Sequence, residues 1–183
     1  NNLTSFKKLK DLNFFDESIR NSKNSEIDFL NKIIHLSEKF PKTKNYSREL
    51  LKAFTLDATK KRYKNWDDLV SYCKFSANPV GRFFIYLTYK INNQSLENEK
   101  EIFKSSDNLC TALQIINHIQ DCKDDYLNHD RVYIPLNYFH KYDLNINVLK
   151  ENKSPIDFIF LKNDLILETE KLLSHIEIGL NLI

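Results

Sequence analysis

Apolar residues recur at every third or fourth position along most of the chain, which places them on one face of an α-helix. This spacing predicts a first helix that extends to about Ile19 and a second that begins at Ser25 and stops at Pro41. A third helix is predicted from an N-cap at Ser47 to about Tyr63. Serine is a favoured N-cap residue and proline interrupts helical hydrogen bonding, so these ends have a physical reason.

The same periodicity continues through the rest of the chain. Asn65 is predicted to cap a fourth helix, which the Asn78–Pro79 pair interrupts because the residue before a proline is disfavoured in helical conformation. The further predictions are a loop at 91–97, a long helix from Asn98 or Ser105 to Tyr126, an irregular connection at 128–138, a weaker element at 143–153, and one or two helices from Pro155 to Ile183.

The composition agrees with a helical chain. Of 183 residues, two are glycine and four are proline, too few for the turns of an all-β fold or for glycine-rich nucleotide-binding loops. The sequence therefore predicts an all-α fold, a multi-helix bundle that forms a single domain over residues 1–183. A net charge of +2 argues against binding of nucleic acid through bulk positive charge. The apolar runs are far shorter than the roughly 20 residues that cross a membrane.

The cysteines and the start of the chain bear on its compartment and completeness. Cys73, Cys110 and Cys122 have neither the spacing of a zinc site nor that of a disulfide framework, which suits a reducing compartment. No secretory signal is visible, so a cytoplasmic location is expected. The sequence begins Asn1–Asn2 and contains no methionine, so we expect a processed form or an internal segment of a longer protein.

A polar stripe on the long helix carries the first candidate chemistry. At about 100° per residue, four side chains fall within about 80° of one another, namely Gln114, Asn117, Asp121 and Asp125. Periodicity alone favours an ordinary solvent-facing surface. Two carboxylates one turn apart repel each other slightly, but they suit a hard cation such as Mg²⁺ that also binds substrate phosphates. His118 and His129 lie nearby, but without a second histidine at ligand spacing neither is predicted to bind a metal.

Three longer segments make the pattern more specific. They read YCKFSANPVGR from Tyr72 to Arg82, LQIINHIQDCKDD from Leu113 to Asp125, and RVYIP from Arg131 to Pro135. Together they resemble the squalene and phytoene synthases, a family of head-to-head prenyl synthases, and within it the hydroxysqualene synthase branch. The segment LLKAF with Asp57 and Arg62–Tyr63 behind it also resembles that branch. The resemblance is strong over about residues 45–140 and weaker at the flanks.

The resemblance implies an isoprenoid-synthase fold, truncated here at both ends, and a set of catalytic residues. Asp121 and Asp125 would be ligands of Mg²⁺ that holds the substrate diphosphate. Tyr72 would lie near the departing diphosphate, and Arg131 would contact it from a loop. Without the resemblance, Tyr72 would be taken as a helix-packing tyrosine and Arg131 as a solvated loop residue.

The resemblance also implies residues that bind substrate, namely Asp57, Val80, Gly81, Gln114, Asn117 and Tyr133. Val80 would pack against the substrate chain, and Gly81 would allow its close approach. A plainer interpretation of Gly81 is that it only allows two helices to pack closely. Arg62 and Arg82 match the branch pattern, but the resemblance assigns them no clear role.

The implied reaction is ionisation of a prenyl diphosphate. Mg²⁺ and arginine neutralise the leaving diphosphate, aromatic faces stabilise a carbocation, and a dry cavity delays water. In the hydroxysqualene branch, water then captures the cation formed from presqualene diphosphate, and no reductant is implied. The alternatives are synthesis of presqualene diphosphate, squalene or phytoene from prenyl diphosphates such as farnesyl diphosphate.

One part of the family pattern is missing from this sequence. The family has two aspartate motifs, and counting back from Tyr72 places the first before residue 1, because Asp11, Asp16 and Glu17 are too close and wrongly spaced. We therefore expect the 183-residue chain to be inactive by itself and the complete protein to be an enzyme. A noncatalytic member that serves in assembly or binding is the alternative from another class. The apolar substrates make peripheral membrane contact an expectation, although no long basic amphipathic helix indicates it.

Overall fold

The computed structural model describes the backbone of residues 2–174, 176, 179 and 181, with described side chains from Ser5 onward. The helices of this part of the chain are α1 Asn2–Asn21, α2 Asp28–Lys39, α3 Lys42–Thr59, α4 Trp66–Ser76, α5 Asn78–Ile91, α6 Glu99–Gln120, α7 Cys122–His129, α8 Leu136–Lys141, a 3-10 helix Ile146–Lys150, and α9 Ile156–Leu173. The described residues contain no strand, only an isolated parallel bridge between Arg62 and Val132. The prediction of an all-α bundle is confirmed.

Pro41 ends α2 as predicted, but it also begins α3. Its backbone is helical, with φ −55° and ψ −34°, and proline fits the first turn of a helix because its missing N–H is not needed there. The predicted N-cap at Ser47 is therefore wrong. Inside α3, the Ser47 hydroxyl donates instead to the carbonyl oxygen of Thr43 at 3.0 Å.

The connection after α3 is extended, and it pairs with the connection after α7. The N–H of Val132 donates to the carbonyl of Lys61 at 2.9 Å, and the N–H of Leu136 donates to the carbonyl of Tyr63 at 2.8 Å. This pairing explains why α3 stops at Thr59 and does not continue to Tyr63 as predicted. It also fixes the α7–α8 connection beside the end of α3.

The predicted long helix is divided at Asp121 into α6 and α7. Asp121 has φ −90° and ψ 4°, outside the helical region. Two hydrogen bonds nevertheless keep the helical spacing. The N–H of Asp121 donates to the carbonyl of Asn117, and the N–H of Asp125 donates to the carbonyl of Asp121, both at 2.9 Å. The two aspartates therefore remain one turn apart, although the helix is not continuous.

Other predicted boundaries agree more closely with the structure. The Asn65 side chain caps α4 by accepting the N–H of Asp68 at 3.0 Å, Ala77 separates α4 from α5, and Pro155 precedes α9. Ser25 lies before α2, where its hydroxyl accepts the N–H of Ile27 at 3.1 Å. Most of the predicted final helix beyond residue 174 lies outside the described residues.

The main core lies where α3, α4, α6 and α9 meet the two paired connections. Its most deeply buried members are Tyr63, Leu69, Ile115, Val132, Ile134, Phe139, Leu161 and Leu165. Cys73 and Cys122 belong to this core as free thiols, and Cys110 is a half-buried free thiol. Among the described residues, no helix combines the length and the apolar character needed to cross a bilayer.

Candidate active site

Asp57, near the end of α3, is the centre of a hydrogen-bonded cluster. The hydroxyls of Tyr72 on α4 and Tyr133 in the α7–α8 connection both donate to its Oδ1 atom, at 3.0 and 2.9 Å. The two hydroxyl oxygens are 3.3 Å apart. Hydrogen bonds to an ionised carboxylate are stronger than neutral ones. The single carboxylate oxygen of Asp57 therefore fixes the positions of both phenol groups.

Arg131 closes the cluster from the α7–α8 connection. Its Nη1 atom donates to the Tyr133 hydroxyl at 3.1 Å, and its Nη2 atom donates to the backbone carbonyl of Asp57 at 2.5 Å. Nη1 also lies 3.7 Å from the Asp57 carboxylate, and the Arg131 side chain is 15% exposed. The interpretation of Arg131 as a solvated loop residue is wrong.

Burial keeps both phenols of the cluster protonated. It raises the pKa of Tyr133 to about 12, and the neighbouring Asp57 carboxylate acts in the same direction. Burial also raises the pKa of Tyr72 well above its ordinary value, with a further increase from the hydrogen bond to Tyr133. At neutral pH both side chains are hydrogen-bond donors with intact hydroxyls. The cluster therefore presents two phenol groups, one guanidinium and one carboxylate.

His118 on α6 links this cluster to the aspartate pair. Its ring stacks on Tyr133 with centroids 3.5 Å apart. Its Nε2 atom is 3.1 Å from Nε2 of Gln114, and its Nδ1 atom is 3.9 Å from Oδ2 of Asp125. Sequence reasoning missed this role. The available signal was helical spacing, because His118 follows Gln114 by one turn and shares its face.

Tyr63 supports the cluster from behind. Its ring stacks on that of Tyr133 with centroids 5.3 Å apart and planes inclined by 22°. It also meets the ring of Tyr72 edge to face at 5.4 Å. Such aromatic pairs contribute roughly 0.5–1.5 kcal/mol beyond the area they bury. Sequence reasoning placed Tyr63 at a helix end and in the branch pattern with Arg62, but it assigned Tyr63 no role in the site.

The polar stripe is divided between the cluster and the surface. Gln114 and Asp125 are half-buried and lie against His118, whereas Asn117 and Asp121 are exposed. The inward-facing stripe implied by the resemblance is therefore only partly enclosed by the described residues. The solvent-facing interpretation holds for Asn117 and Asp121 in this chain.

The aspartate pair has the donor chemistry of a shared Mg²⁺ site. Asp121 and Asp125 offer carboxylate oxygens one turn apart, and Mg²⁺ is usually bound by one or two carboxylates together with substrate phosphates. In the described part of the chain, no three or more His, Cys, Asp or Glu side chains converge as a metal site. Binding of a cation by these two carboxylates stays a prediction.

Val80 and Gly81, at the start of α5, differ in their surroundings. Val80 is 39% exposed. A Cβ atom on Gly81 would lie 2.4 Å from the hydroxyl oxygen of Ser106 and 2.6 Å from the sulfur of Cys110, both on α6. Gly81 therefore allows close packing of α5 on α6, which supports the plainer of its two interpretations. Contact of either residue with a substrate stays a prediction.

The two arginines without an assigned role have acidic partners. Arg82 forms a two-point ion pair with Asp107, in which Nε donates to Oδ1 at 2.8 Å and Nη2 donates to Oδ2. This pair joins α5 to α6. Arg62 pairs with Asp130, where Nη2 donates to Oδ1 at 2.6 Å. Both arginines therefore connect separate elements of the fold.

A cleft of about 830 Å³ opens onto Asp57 and Arg131 between α1, the end of α3 and the end of α7. Lysines predominate among its further charged residues, which are Lys7, Lys8, Lys61, Asp11 and Asp130. An excess of positive charge in a concave surface attracts anions. Of the early acidic residues, Asp11 lies in this cleft, whereas Asp16 accepts a hydrogen bond from Nε of Arg48 at 2.7 Å.

With this geometry in hand, comparison with known proteins identifies the family. The sequence profile of the squalene/phytoene synthases matches residues 4–183. The chain belongs to the squalene/phytoene synthase family. The hydroxysqualene synthase of Sinorhizobium fredii is 38% identical over 129 residues, which cover 70% of this chain and 41% of that protein. The hydroxysqualene synthase of Zymomonas mobilis is 46% identical over 87 residues, which cover 48% of this chain and 27% of that protein.

Solved structures agree with this family at the level of the fold. A squalene synthase from Alicyclobacillus acidocaldarius superimposes with a TM-score of 0.76 at 23% identity, over 95% of this chain and 63% of that one. A dehydrosqualene synthase superimposes with a TM-score of 0.75 at 20% identity, over 90% of this chain and 56% of that one. The chain thus spans less than half the length of the curated relatives and less than two thirds of the solved structures.

In this squalene/phytoene synthase chain, the fold brings most of the predicted site residues together. Tyr72, Asp57, Arg131 and Tyr133 share one hydrogen-bonded cluster. Gln114 and Asp125 join that cluster through the buried His118 side chain. The family motifs, which are far apart along the chain, therefore meet around Asp57, while the remaining predicted residues lie on exposed or helix-packing surfaces.

Proposed function

We propose that the full-length protein is a Mg²⁺-dependent head-to-head isoprenoid synthase that converts presqualene diphosphate to hydroxysqualene. The observation that carries this proposal is the cluster of Arg131, Tyr72 and Tyr133 on Asp57, next to Asp125. Hydroxysqualene synthases at 38% and 46% identity support this branch. The proposed ligand is a prenyl diphosphate, and peripheral membrane contact stays a prediction.

The charged and hydroxyl groups of the site would act on the diphosphate. Arg131 would offset the negative charge that develops as the diphosphate leaves, and fixed donors of this kind stabilise a transition state without reorganising. The protonated hydroxyls of Tyr72 and Tyr133 would donate hydrogen bonds nearby. When bound by Asp121 and Asp125, Mg²⁺ would supply further charge neutralisation of the leaving group. Ionisation of the carbon–oxygen bond becomes feasible in such an environment.

The aromatic faces and Asp57 would act on the organic cation. Phenol faces attract a cation by roughly 0.5–2 kcal/mol each. The ring of Tyr133 is already covered by His118 and Tyr63, so Tyr72, on whose ring no other described ring stacks in parallel, would offer the aromatic face to the cation. Capture of the cation by water forms a carbon–oxygen bond and releases a proton. We assign that proton to Asp57, the carboxylate that both tyrosine hydroxyls already contact.

The test is Mg²⁺-dependent hydroxysqualene formation from presqualene diphosphate by the full-length gene product. Asp121→Asn removes one proposed ligand, and Asp124→Asn is the matched control, since Asp124 is a likewise exposed carboxylate three residues further along the chain, in the first turn of α7. We expect product from the wild type and from Asp124→Asn, and none from Asp121→Asn. A folded wild type that forms no hydroxysqualene with Mg²⁺ would contradict the proposal.

The alternatives are separated by the same assay with other substrates. Product from farnesyl or geranylgeranyl diphosphate, with none from presqualene diphosphate, would favour presqualene diphosphate, squalene or phytoene synthesis. A folded protein that turns over none of these substrates would favour a noncatalytic family member. The intact cluster around Asp57 argues against that last outcome, because a protein without catalysis has no chemical need to keep it together.

A further inference from the structure

Arg62 ties the end of α3 to the end of α7. Its Nη2 atom donates to the carboxylate of Asp130 at 2.6 Å, and its Nη1 atom donates to the backbone carbonyls of Asp130 and of Lys61, the latter at 2.9 Å. The Arg62 side chain is 27% exposed. Three acceptors therefore fix its guanidinium between two segments that are 68 residues apart.

Asp130 is the point at which the chain reverses after α7. Its φ of 50° and ψ of 39° are left-handed, a conformation that costs a residue other than glycine roughly 1–2 kcal/mol. The reversal lets the N–H of Arg131 reach back to the carbonyl of Asp125 at 3.1 Å. Since Arg62 contacts both the carbonyl and the carboxylate of Asp130, it holds the turn that directs Arg131 into the cluster.

Tyr63, the residue after Arg62, contacts Tyr133, the second site residue in the α7–α8 connection. Tyr63 follows Arg62 directly, stacks behind the ring of Tyr133 and accepts the N–H of Leu136 through its carbonyl. The Arg62 side chain therefore fixes Asp130, the residue before Arg131. The side chain of Tyr63 fixes the ring of Tyr133. No contact in this set requires Arg62 itself to meet a ligand.

We propose that Arg62 is a positioning residue, which acts on the reaction through Arg131 and Tyr133 by holding the turn at Asp130. This inference rests on the proposed function for its kinetic consequence. Its structural consequence, a fixed 130–133 segment, can be measured without turnover.

The kinetic test is a double-mutant cycle in the full-length protein with Arg62→Gln, Arg131→Gln and the double variant. We expect Arg62→Gln to lower kcat/KM at least about tenfold, since small misplacements of catalytic groups are costly. If Arg62 acts through Arg131, the double variant is no slower than Arg131→Gln. Effects that multiply would overturn the inference. Lys64→Gln, on the same connection, is the charge-matched control, and an equal loss there would point to bulk charge and also overturn it.

The turnover-independent test is amide hydrogen exchange of residues 130–133. We expect faster exchange at Arg131 and Val132 in Arg62→Gln, partly restored in Arg62→Lys. Asp130→Asn tests the contact from its exposed side, and we expect a smaller increase because the carbonyl contact remains. Unchanged exchange in all three folded variants would overturn the inference. Faster exchange in a protein whose wild type shows no turnover would support the positioning role and count only against the proposed function.

Discussion

The ring of His118 lies on the ring of Tyr133, with centroids 3.5 Å apart and planes inclined by 16°. Tyr133 donates to Asp57 on one side, and His118 faces Asp125 at 3.9 Å on the other. This stack is therefore a direct contact between the tyrosine cluster and α6, the helix that precedes the aspartate pair. We expect the stack to keep Asp57, the proposed proton acceptor, in a fixed position relative to the proposed metal ligands Asp121 and Asp125.

We expect the stack to depend on ring area more than on the polarity of His118. His118→Ala removes a buried ring and should lower the free energy of unfolding by about 2–4 kcal/mol, within the range of large-to-small core substitutions. His118→Phe keeps a flat ring and should remain within about 1.5 kcal/mol of the wild type. Urea unfolding of the full-length protein measures both. The exposed His129→Ala is the control, and equal losses for Phe and Ala would contradict the expectation.

The helical spacing of this site could be predicted from sequence, but its closure could not. The one-turn separation of Asp121 and Asp125 is local, so periodicity was sufficient. The stack of His118 on Tyr133 depends on the reversal at Asp130 and on pairing with residues 61–64. These contacts join segments far apart in the chain, and no local pattern encodes them. The family resemblance predicted which residues belong to the site, but not how they touch.

The fold shows the same division. Asn65 and Pro155 mark helix starts through local chemistry, and both were predicted correctly. Ser47 has the residue type of an N-cap, but α3 already begins five residues earlier, at Lys42, directly after Pro41. The division at Asp121 was not predicted, because the apolar periodicity continues across it. Local signals thus placed the elements, while tertiary contacts set several of their ends.

Tyr133 should make stability fall at alkaline pH. An unfolded tyrosine loses its proton near a pKa of 10, whereas burial raises the pKa of Tyr133 to about 12 in the folded protein. Between these values the folded state binds more protons, so the free energy of unfolding falls as pH rises. This contribution is complete below pH 10 and is lost by about pH 12. Tyr133→Phe should therefore reduce the slope by up to about 1.4 kcal/mol per pH unit.

The measurement is urea unfolding of wild type and Tyr133→Phe at several pH values from about 9 to about 11.5, a range chosen around the tyrosine pKa. The comparison uses the slope with pH, because loss of the hydrogen bond to Asp57 lowers the variant equally at every lower pH. Tyr126→Phe, whose hydroxyl donates to Asn147 at the surface, is the control and should keep the wild-type slope. Parallel curves for wild type and Tyr133→Phe would refute the assignment.

The ion pair of Arg82 with Asp107 should stabilise the contact between α5 and α6. The Arg82 side chain is 34% exposed and that of Asp107 is 19% exposed, so the pair is partly screened by solvent. We expect Arg82→Lys, which cannot form the two-point contact, to lose about 1 kcal/mol of unfolding free energy. A double-mutant cycle with Asp107→Asn isolates the pair. A coupling energy near zero would show that the contact adds nothing to stability.

The lack of a side chain at Gly81 can serve either the close packing of α5 on α6 or contact with a substrate, and substitutions separate these two interpretations. In Gly81→Ala, the new Cβ meets the ends of Ser106 and Cys110, and overpacking of this kind costs about 1–3 kcal/mol. In a Ser106→Ala, Cys110→Ala background the obstruction is gone, so Gly81→Ala should instead gain about 0.5–1 kcal/mol from helix propensity. Urea unfolding of the wild type and the three variants measures this reversal of sign, and a loss of the same size in both backgrounds would contradict the packing role. Product formation by the triple variant then separates the two interpretations: retained activity supports packing between α5 and α6, whereas a stable but inactive triple variant would establish that a substrate needs the open space at Gly81.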